Sequence, residues 1–195
     1  MSSCTPGLPR RGWFSTGLTS ASLGSTIGED HRYARSPGRW PAELDAARRC
    51  WRRANVARGK VPGAQRFARV GAKLADPGAL VVVAIESAEV VGMAQAEPGR
   101  ADDGALDPGL CHVSMVFVDP GHWGRGIGGQ LLDAIAEAAR GRGHQRLQLW
   151  TGAANERALR VYHRSGFRKT GRTHRLVTGE PIVHLTREIQ CDRRH

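Results

Sequence analysis

Long apolar runs are missing from this 195-residue chain. No stretch approaches the roughly 20 residues that a bilayer-crossing helix needs, so a spanning helix is excluded. Cysteine is sparse as well. The four cysteines stand at positions 4, 50, 111 and 191, no two of them at C-x-x-C spacing. No second group of ligands accompanies any of them, which argues against a zinc site and against a disulfide framework. Arg10-Arg11 is followed by Ser-Thr-Gly-Leu-Thr-Ser-Ala-Ser rather than an apolar core. A secretory signal is therefore not expected, and the reading is a cytoplasmic protein. Aromatic residues are few, with only two tyrosines for base stacking. The net charge of +11 comes almost wholly from arginines scattered through helices and loops. An arginine-rich coding bias or an anionic cofactor explains this charge better than a specific nucleic-acid surface.

What the chain does have is concentrated between Cys111 and Phe167. His112-Val-Ser-Met-Val-Phe-Val118 is rich in β-branched and aromatic residues, as a buried strand should be. Asp119-Pro-Gly-His-Trp-Gly-Arg-Gly-Ile-Gly-Gly129 follows, and then Ile127, Leu131, Ile135 and Ala139 recur at helical spacing. Strand, glycine-rich loop and helix in immediate succession suit a pyrophosphate. Glycine lets the backbone approach a ligand closely, and the free N–H groups opening a helix favour anionic oxygens.

Three phosphate motifs compete for this loop. A Walker-type loop needs Lys and Ser/Thr after its second glycine, but Gly121-x-x-x-x-Gly126 leads into Ile127-Gly128. Gly124-x-Gly126-x-x-Gly129 matches the dinucleotide fingerprint literally. That fingerprint also asks for an acidic residue at the end of the next strand, where Trp150-Thr-Gly152 stands instead. The third reading fits best. Trp123-Gly-Arg-Gly-Ile-Gly128 resembles the acetyl-coenzyme A loop of the GCN5-related N-acetyltransferase superfamily, Q/R-x-x-G-x-G/A, with Trp123 in place of the usual Gln or Arg. Downstream, Asn155-x-x-Ala158-x-x-x-Tyr162-x-x-x-Gly166-Phe167 resembles a second signature of that family at the expected distance. The resemblance covers residues 40 to 190 and is strongest from 111 to 167.

It implies a mixed α+β fold, a mostly antiparallel sheet with a splayed central parallel pair, flanked by helices. Residues 1–38 read as a flexible leader, or one produced by a start placed too far upstream. The N-acetyltransferase domain then occupies 39–190, and 191–195 form a tail. Helices are expected over 41–57 and 64–74, a hairpin over 80–85 and 90–96, and a loop from Glu97 to Gly109. Strand 111–118, helix 126–140 and strand 146–151 come next. Asn155 caps a helix running to Ser165, and Gly166 suits the left-handed residue past its end. Strands 167–173 and 181–189 finish the sheet.

The implied activity is direct transfer of an acetyl group from acetyl-CoA to a primary amine, most simply of a small molecule. A protein or peptide amine and a non-catalytic CoA-binding regulatory module are the alternatives. No metal, specific nucleic acid or membrane partner is implied, and a homodimer is compatible. By position in the family pattern, the backbone of Val116, Phe117 and Val118 meets the pantetheine arm. The amides of Gly124, Arg125, Gly126, Ile127, Gly128 and Gly129 meet the pyrophosphate, with the Arg125 side chain adding charge. Tyr162 is the candidate general acid, since a phenol remains a donor near neutral pH. Asn155 caps and also suits a cofactor contact. The base is less clear. Trp150 stands where some relatives place a glutamate, whereas His112 occupies a second such place and titrates in a useful range. Glu97, His174, Glu180 and His184 are weaker candidates. No cysteine lies in either motif, which argues against an acyl-cysteine route.

Overall fold

The computed structural model describes residues 32–35 and 41–189. The rest of the expected 1–38 leader and the 191–195 tail, with Cys4 and Cys191, lie outside the described residues. The elements in order are β1 (Arg32–Arg35), α1 (Pro41–Val56), α2 (Ala64–Ala75), β2 (Leu80–Glu86), β3 (Glu89–Arg100) and β4 (Leu106–Val118). A short 3₁₀ turn (Pro120–His122) leads to α3 (Ile127–Gly141), β5 (Arg146–Gly152), α4 (Glu156–Arg164), β6 (Arg168–Arg175) and β7 (Pro181–Glu188). One seven-stranded sheet runs in the order β1-β2-β3-β4-β5-β7-β6. Only the β4–β5 pairing is parallel, as the mixed α+β reading expects. Strand β1 falls inside the stretch assigned to the leader and pairs antiparallel with β2, so the sheet begins ahead of residue 39.

Strands β2 and β3 alternate their side chains between two cores. Val82 and Ala84 join Ile127, Leu131, Leu132 and Ile135 of α3 on one face. Val81 and Val83 join Ala47, Cys50 and Trp51 of α1 and Val70 and Leu74 of α2 on the other. Period two on the strands against helical spacing at 127, 131, 135 and 139 makes this three-layer packing the way to bury both sets. Gly92 sets how closely α3 lies on the sheet, because a Cβ there would stand 3.0 Å from Ile127 Cγ2 and 3.1 Å from Leu131 Cδ1. Leu131 is fully buried, and its truncation to Ala costs about 2–5 kcal/mol.

The expected loop from Glu97 to Gly109 is a correction. Strand β3 continues to Arg100 and β4 begins at Leu106, so the two form a long antiparallel pair around the turn at 101–105. Prolines 98 and 108 and glycines 99 and 109 hide the strand pattern. They accompany a register shift between Pro98 and Arg100, and at Gly99 the backbones approach so closely that a Cβ would stand 2.5 Å from Leu110 Cγ.

A second irregularity positions the site. Gln95 pairs with Met115 and Ala96 with Val113, leaving Ser114 as a bulged extra residue. Without it, Val113 and Val116 could not both face the α3 core, as they do. The Ser114 hydroxyl donates to Gln95 Oε1 at 2.7 Å, which anchors the bulge to a fully buried amide.

Candidate active site

Strands β4 and β5 pair only at Leu110–Arg146, Cys111–Leu147 and His112–Gln148. Beyond His112 the bulge bends β4 away, and the strands part. The Asp119 amide donates to Val91 O at 2.8 Å, and this fixes the alternation along β4. In an antiparallel pair every second residue turns its polar groups to the partner, so Phe117 belongs to the β3 ladder while Val116 and Val118 face the gap. Phe117 therefore does not offer its backbone to the gap as the resemblance implies. Its ring lies edge-on to Trp51 at 6.2 Å.

The loop closes the open end of this gap. Asp119 Oδ1 accepts from the Gly121 amide at 3.2 Å and starts the 3₁₀ turn. Trp123 donates through its indole N–H to Val118 O at 2.8 Å, and the Arg157 guanidinium sits 4.2 Å from its ring centroid. The residue that departs from the family pattern thus ties the loop to the strand end and to α4. Gly124 and Gly126 adopt φ +86° and +81°, left-handed values that cost a side-chain-bearing residue about 1–2 kcal/mol. Among the described residues the amides of Gly124, Gly126, Ile127 and Gly128 make no hydrogen bond, whereas those of Gly129 and Gln130 donate back to Gly126 O. The amides available to an anion therefore stop at Gly128. Gly129 serves packing instead, with Ser165 Oγ 3.5 Å from where its Cβ would be.

The Arg125 guanidinium is held by both oxygens of Glu86 at 2.6 and 3.0 Å, and His122 Nε2 meets the same carboxylate at 2.7 Å. Arg125 foremost, then His122, keeps Glu86 below the usual carboxylate range despite the opposing cost of desolvation. The arginine straps the loop to β2.

His112 and Glu97 come together. They are cross-strand partners on β4 and β3, and both line a cavity of about 640 Å³ with Gln148, Trp150 and Arg172. Burial pushes the His112 imidazole below its ordinary 6.5, with the Glu97 charge opposing and the Lys73 charge adding. Burial alone would raise the Glu97 carboxyl, but the Lys73 ammonium at 3.0 Å brings it below the usual range. A neutral imidazole beside an ionised carboxylate can take up a proton and have the resulting charge compensated.

Tyr162 is placed elsewhere. It packs against the α3 core with its ring edge-on to Phe167 at 5.9 Å, and it is absent from the walls of the His112 cavity. Its neighbour Val161 reaches the start of α3, within 3.4 Å of where a Gly128 Cβ would be. Burial pushes the phenol up to about 12, against the opposing charge of Arg58. His112 alternates with Cys111 and Val113, which face the α3 core, so it points to the opposite face of the sheet from Tyr162. The gap between β4 and β5 is the passage between the two faces. Asn155 accepts from the Ala158 amide at 3.3 Å and caps α4. Cys111 is a core residue whose thiol burial pushes up to about 12.

The remaining base candidates separate. His184 is buried under Trp150, with its ring nitrogens engaged by Thr170 Oγ1 at 2.9 Å and Gln148 Oε1 at 3.0 Å. His174 lies edge-on to the same indole at 6.5 Å, and Glu180 pairs with Lys60 at 3.3 Å. Sequence reasoning missed Gln95 and Ser114, whose one signal was a polar side chain inside the apolar run 90–96. It also missed the Trp150–His184 stack, which has no signal because its members lie 34 positions apart on paired strands.

The sheet parts between its two parallel strands, and unbonded amides stand at the mouth of the gap. The sequence model of the acetyltransferase (GNAT) family matches residues 40–167, and the chain belongs to that family. N-acetyltransferase 8 of Homo sapiens is 33% identical over 100 residues, which cover 51% of this chain and 43% of that protein. The chain spans less than half the length of the curated relatives it first matches. Among solved structures, aminoglycoside 6'-N-acetyltransferase complexed with coenzyme A superposes with TM-score 0.66 at 14% identity, covering 83% of this chain and 99% of that one. The ribosomal-protein-S18-alanine N-acetyltransferase from Escherichia coli gives 0.64 at 17%, covering 85% and 99%. At these identities the likeness is one of fold. No helix among the described residues is long and apolar enough to cross a membrane.

Proposed function

We propose that this protein transfers an acetyl group from acetyl-CoA to the primary amine of a small molecule, by direct attack. The observation that carries this reading is the set of four unbonded amides at Gly124, Gly126, Ile127 and Gly128, placed where β4 leaves β5. In this reading the domain comprises the sheet with its four helices. The diphosphate lies on those amides and on the positive end of α3. The pantetheine arm runs along the outward backbone of Val116 and Val118.

The acceptor ammonium enters from the His112 side and gives one proton to the neutral imidazole, with Glu97 compensating the charge that appears. The free amine attacks the thioester carbon. As the C–N bond forms and the C–S bond breaks, the thiolate takes the Tyr162 proton, the nitrogen's second proton returns through water to the phenolate, and the His112 imidazolium releases its proton to solvent. Burial keeps the phenol protonated at neutral pH, so its proton is present when the thiolate forms. Both motif regions lack a cysteine, and the buried thiols of Cys50 and Cys111 are pushed up to about 12, so an acyl-cysteine intermediate has no support.

The test is thiol release from acetyl-CoA against a panel of amines, with the mass of each product measured. Acetylated amine and free CoA in equal amounts are expected. Binding of acetyl-CoA without transfer to any amine would favour a regulatory CoA-binding module instead.

A further inference from the structure

The cavity beyond His112 has two chemically different ends, and both are built from side chains. At one end stands Glu97, the cross-strand partner of the histidine. At the other stand Arg100 and Arg172, whose guanidinium groups reach the β3–β4 turn at Gly104 and Asp102. Trp150 is a prepared surface. Its indole rests on His184 with centroids 4.9 Å apart, and that histidine is buried and bonded through both ring nitrogens. Arg172 lies 5.6 Å from the indole centroid and also forms part of the wall of a second cavity that shares Trp150.

The charges at this end are only loosely committed. Arg172 pairs at 2.6 Å with Asp102, a turn residue whose side chain is 76% exposed. A pair so exposed contributes about 0–1 kcal/mol, so a ligand carboxylate can replace it. Arg100 is held by a carbonyl, Gly104 O at 2.8 Å, rather than by a carboxylate.

We infer that the acceptor is a bipolar molecule: its primary amine lies between Glu97 and His112, its apolar body covers Trp150, and a carboxylate at its far end binds Arg172 and Arg100. Amino acids with a terminal amine far from the carboxylate, and short peptides with a free C-terminal carboxylate, have this form. A polyamine or other polycation does not, because its further ammonium groups would face two guanidinium groups. This assignment rests on the acetyl-transfer reading above.

Steady-state kinetics with matched acceptors test it. The pairs are 6-aminohexanoate against hexylamine, and glycylphenylalanine against glycylphenylalaninamide, with spermidine as the polycation. Acetyl-CoA affinity is measured by calorimetry on the same protein. The carboxylate-bearing member of a pair is expected to have at least about a tenfold higher kcat/KM, expressed in KM. Arg172→Gln should bring each pair within about twofold without changing acetyl-CoA affinity, which also reports that the variant is folded. Trp150→Ala should raise KM for glycylphenylalanine more than for 6-aminohexanoate. If spermidine or the uncharged partners match the carboxylates in the unmodified protein, the inference is wrong. It is equally wrong if acetyl-CoA binds and no carboxylate-bearing amine is acetylated. Failure to bind acetyl-CoA overturns the acetyl-transfer reading itself.

Discussion

The two sides of the parted strand pair are built on different principles. The loop side works through the main chain, with glycines at left-handed φ, amides left unbonded and a strand whose outward groups face a gap. The cavity side works through side chains drawn from the cap residue after α2 and from β3, β4, β5 and β6, elements that meet only when the sheet is assembled. Backbone recognition of a diphosphate demands particular residues at fixed spacing within one segment, and therefore leaves a motif. Recognition by scattered side chains needs only that five elements converge, and leaves none.

The sharpest way to break this contrast is at Gly126. A side chain there must leave φ +81°, which turns the cradle's amides away. Charge-assisted hydrogen bonds are worth about 1.5–3 kcal/mol each, so losing two should weaken acetyl-CoA binding about a thousandfold. Gly126→Val read by calorimetry checks this. Gly104→Val is the control, since that residue has φ +83° in the β3–β4 turn, and should leave acetyl-CoA affinity unchanged. Equal losses would mean that the effect is on folding.

A smaller effect is expected at Tyr162. Tyr162→Phe should lower kcat about a hundredfold with little change in KM for acetyl-CoA, because the missing proton donor matters only as the thiolate departs. Unchanged turnover would leave Tyr162 a packing residue of the α3 core.

On the other side of the gap, the effect appears in pH dependence. Burial holds the His112 imidazole below 6.5, so the neutral base is present above that lower value and is lost as pH falls through it. The acid limb of kcat/KM should therefore have its midpoint below 6.5, and His112→Gln should remove that limb with a loss of some tens of fold. A midpoint above 6.5 would assign the limb to another group.

The smallest change concerns stability alone. Ser87 and Ala88 turn the β2–β3 hairpin at φ +48° and +66°, the conformation that favours Asn-Gly. Replacing the pair by Asn-Gly should add about 1 kcal/mol to unfolding free energy, seen in thermal melts, with unchanged kinetics.

What could be read beforehand follows the same division. The glycine loop, the helix from Ile127 and the Asn155 cap were legible because each is local or is set by short-range periodicity, whereas the parallel pair was implied only by the family resemblance. Nothing in the loop motif foretells that Arg125 meets Glu86, 39 positions away at the end of β2. Gly129 fits the motif, yet the first turn of α3 draws its amide inward. The Ser114 bulge that parts the strands depends on Gln95 across the sheet, and Glu97 gains its place beside His112 only through the β3–β4 register. Each of these is a tertiary contact that no spacing along the chain encodes.

The most direct test is an NMR titration of the amide resonances with acetyl-CoA. The amides of Gly124, Gly126, Ile127 and Gly128 should show the largest shifts, followed by Val116 and Val118, while those of Gly129, Gln130 and Phe117 should move less. Resonances at 124–128 that stay in place at saturating acetyl-CoA would contradict the account.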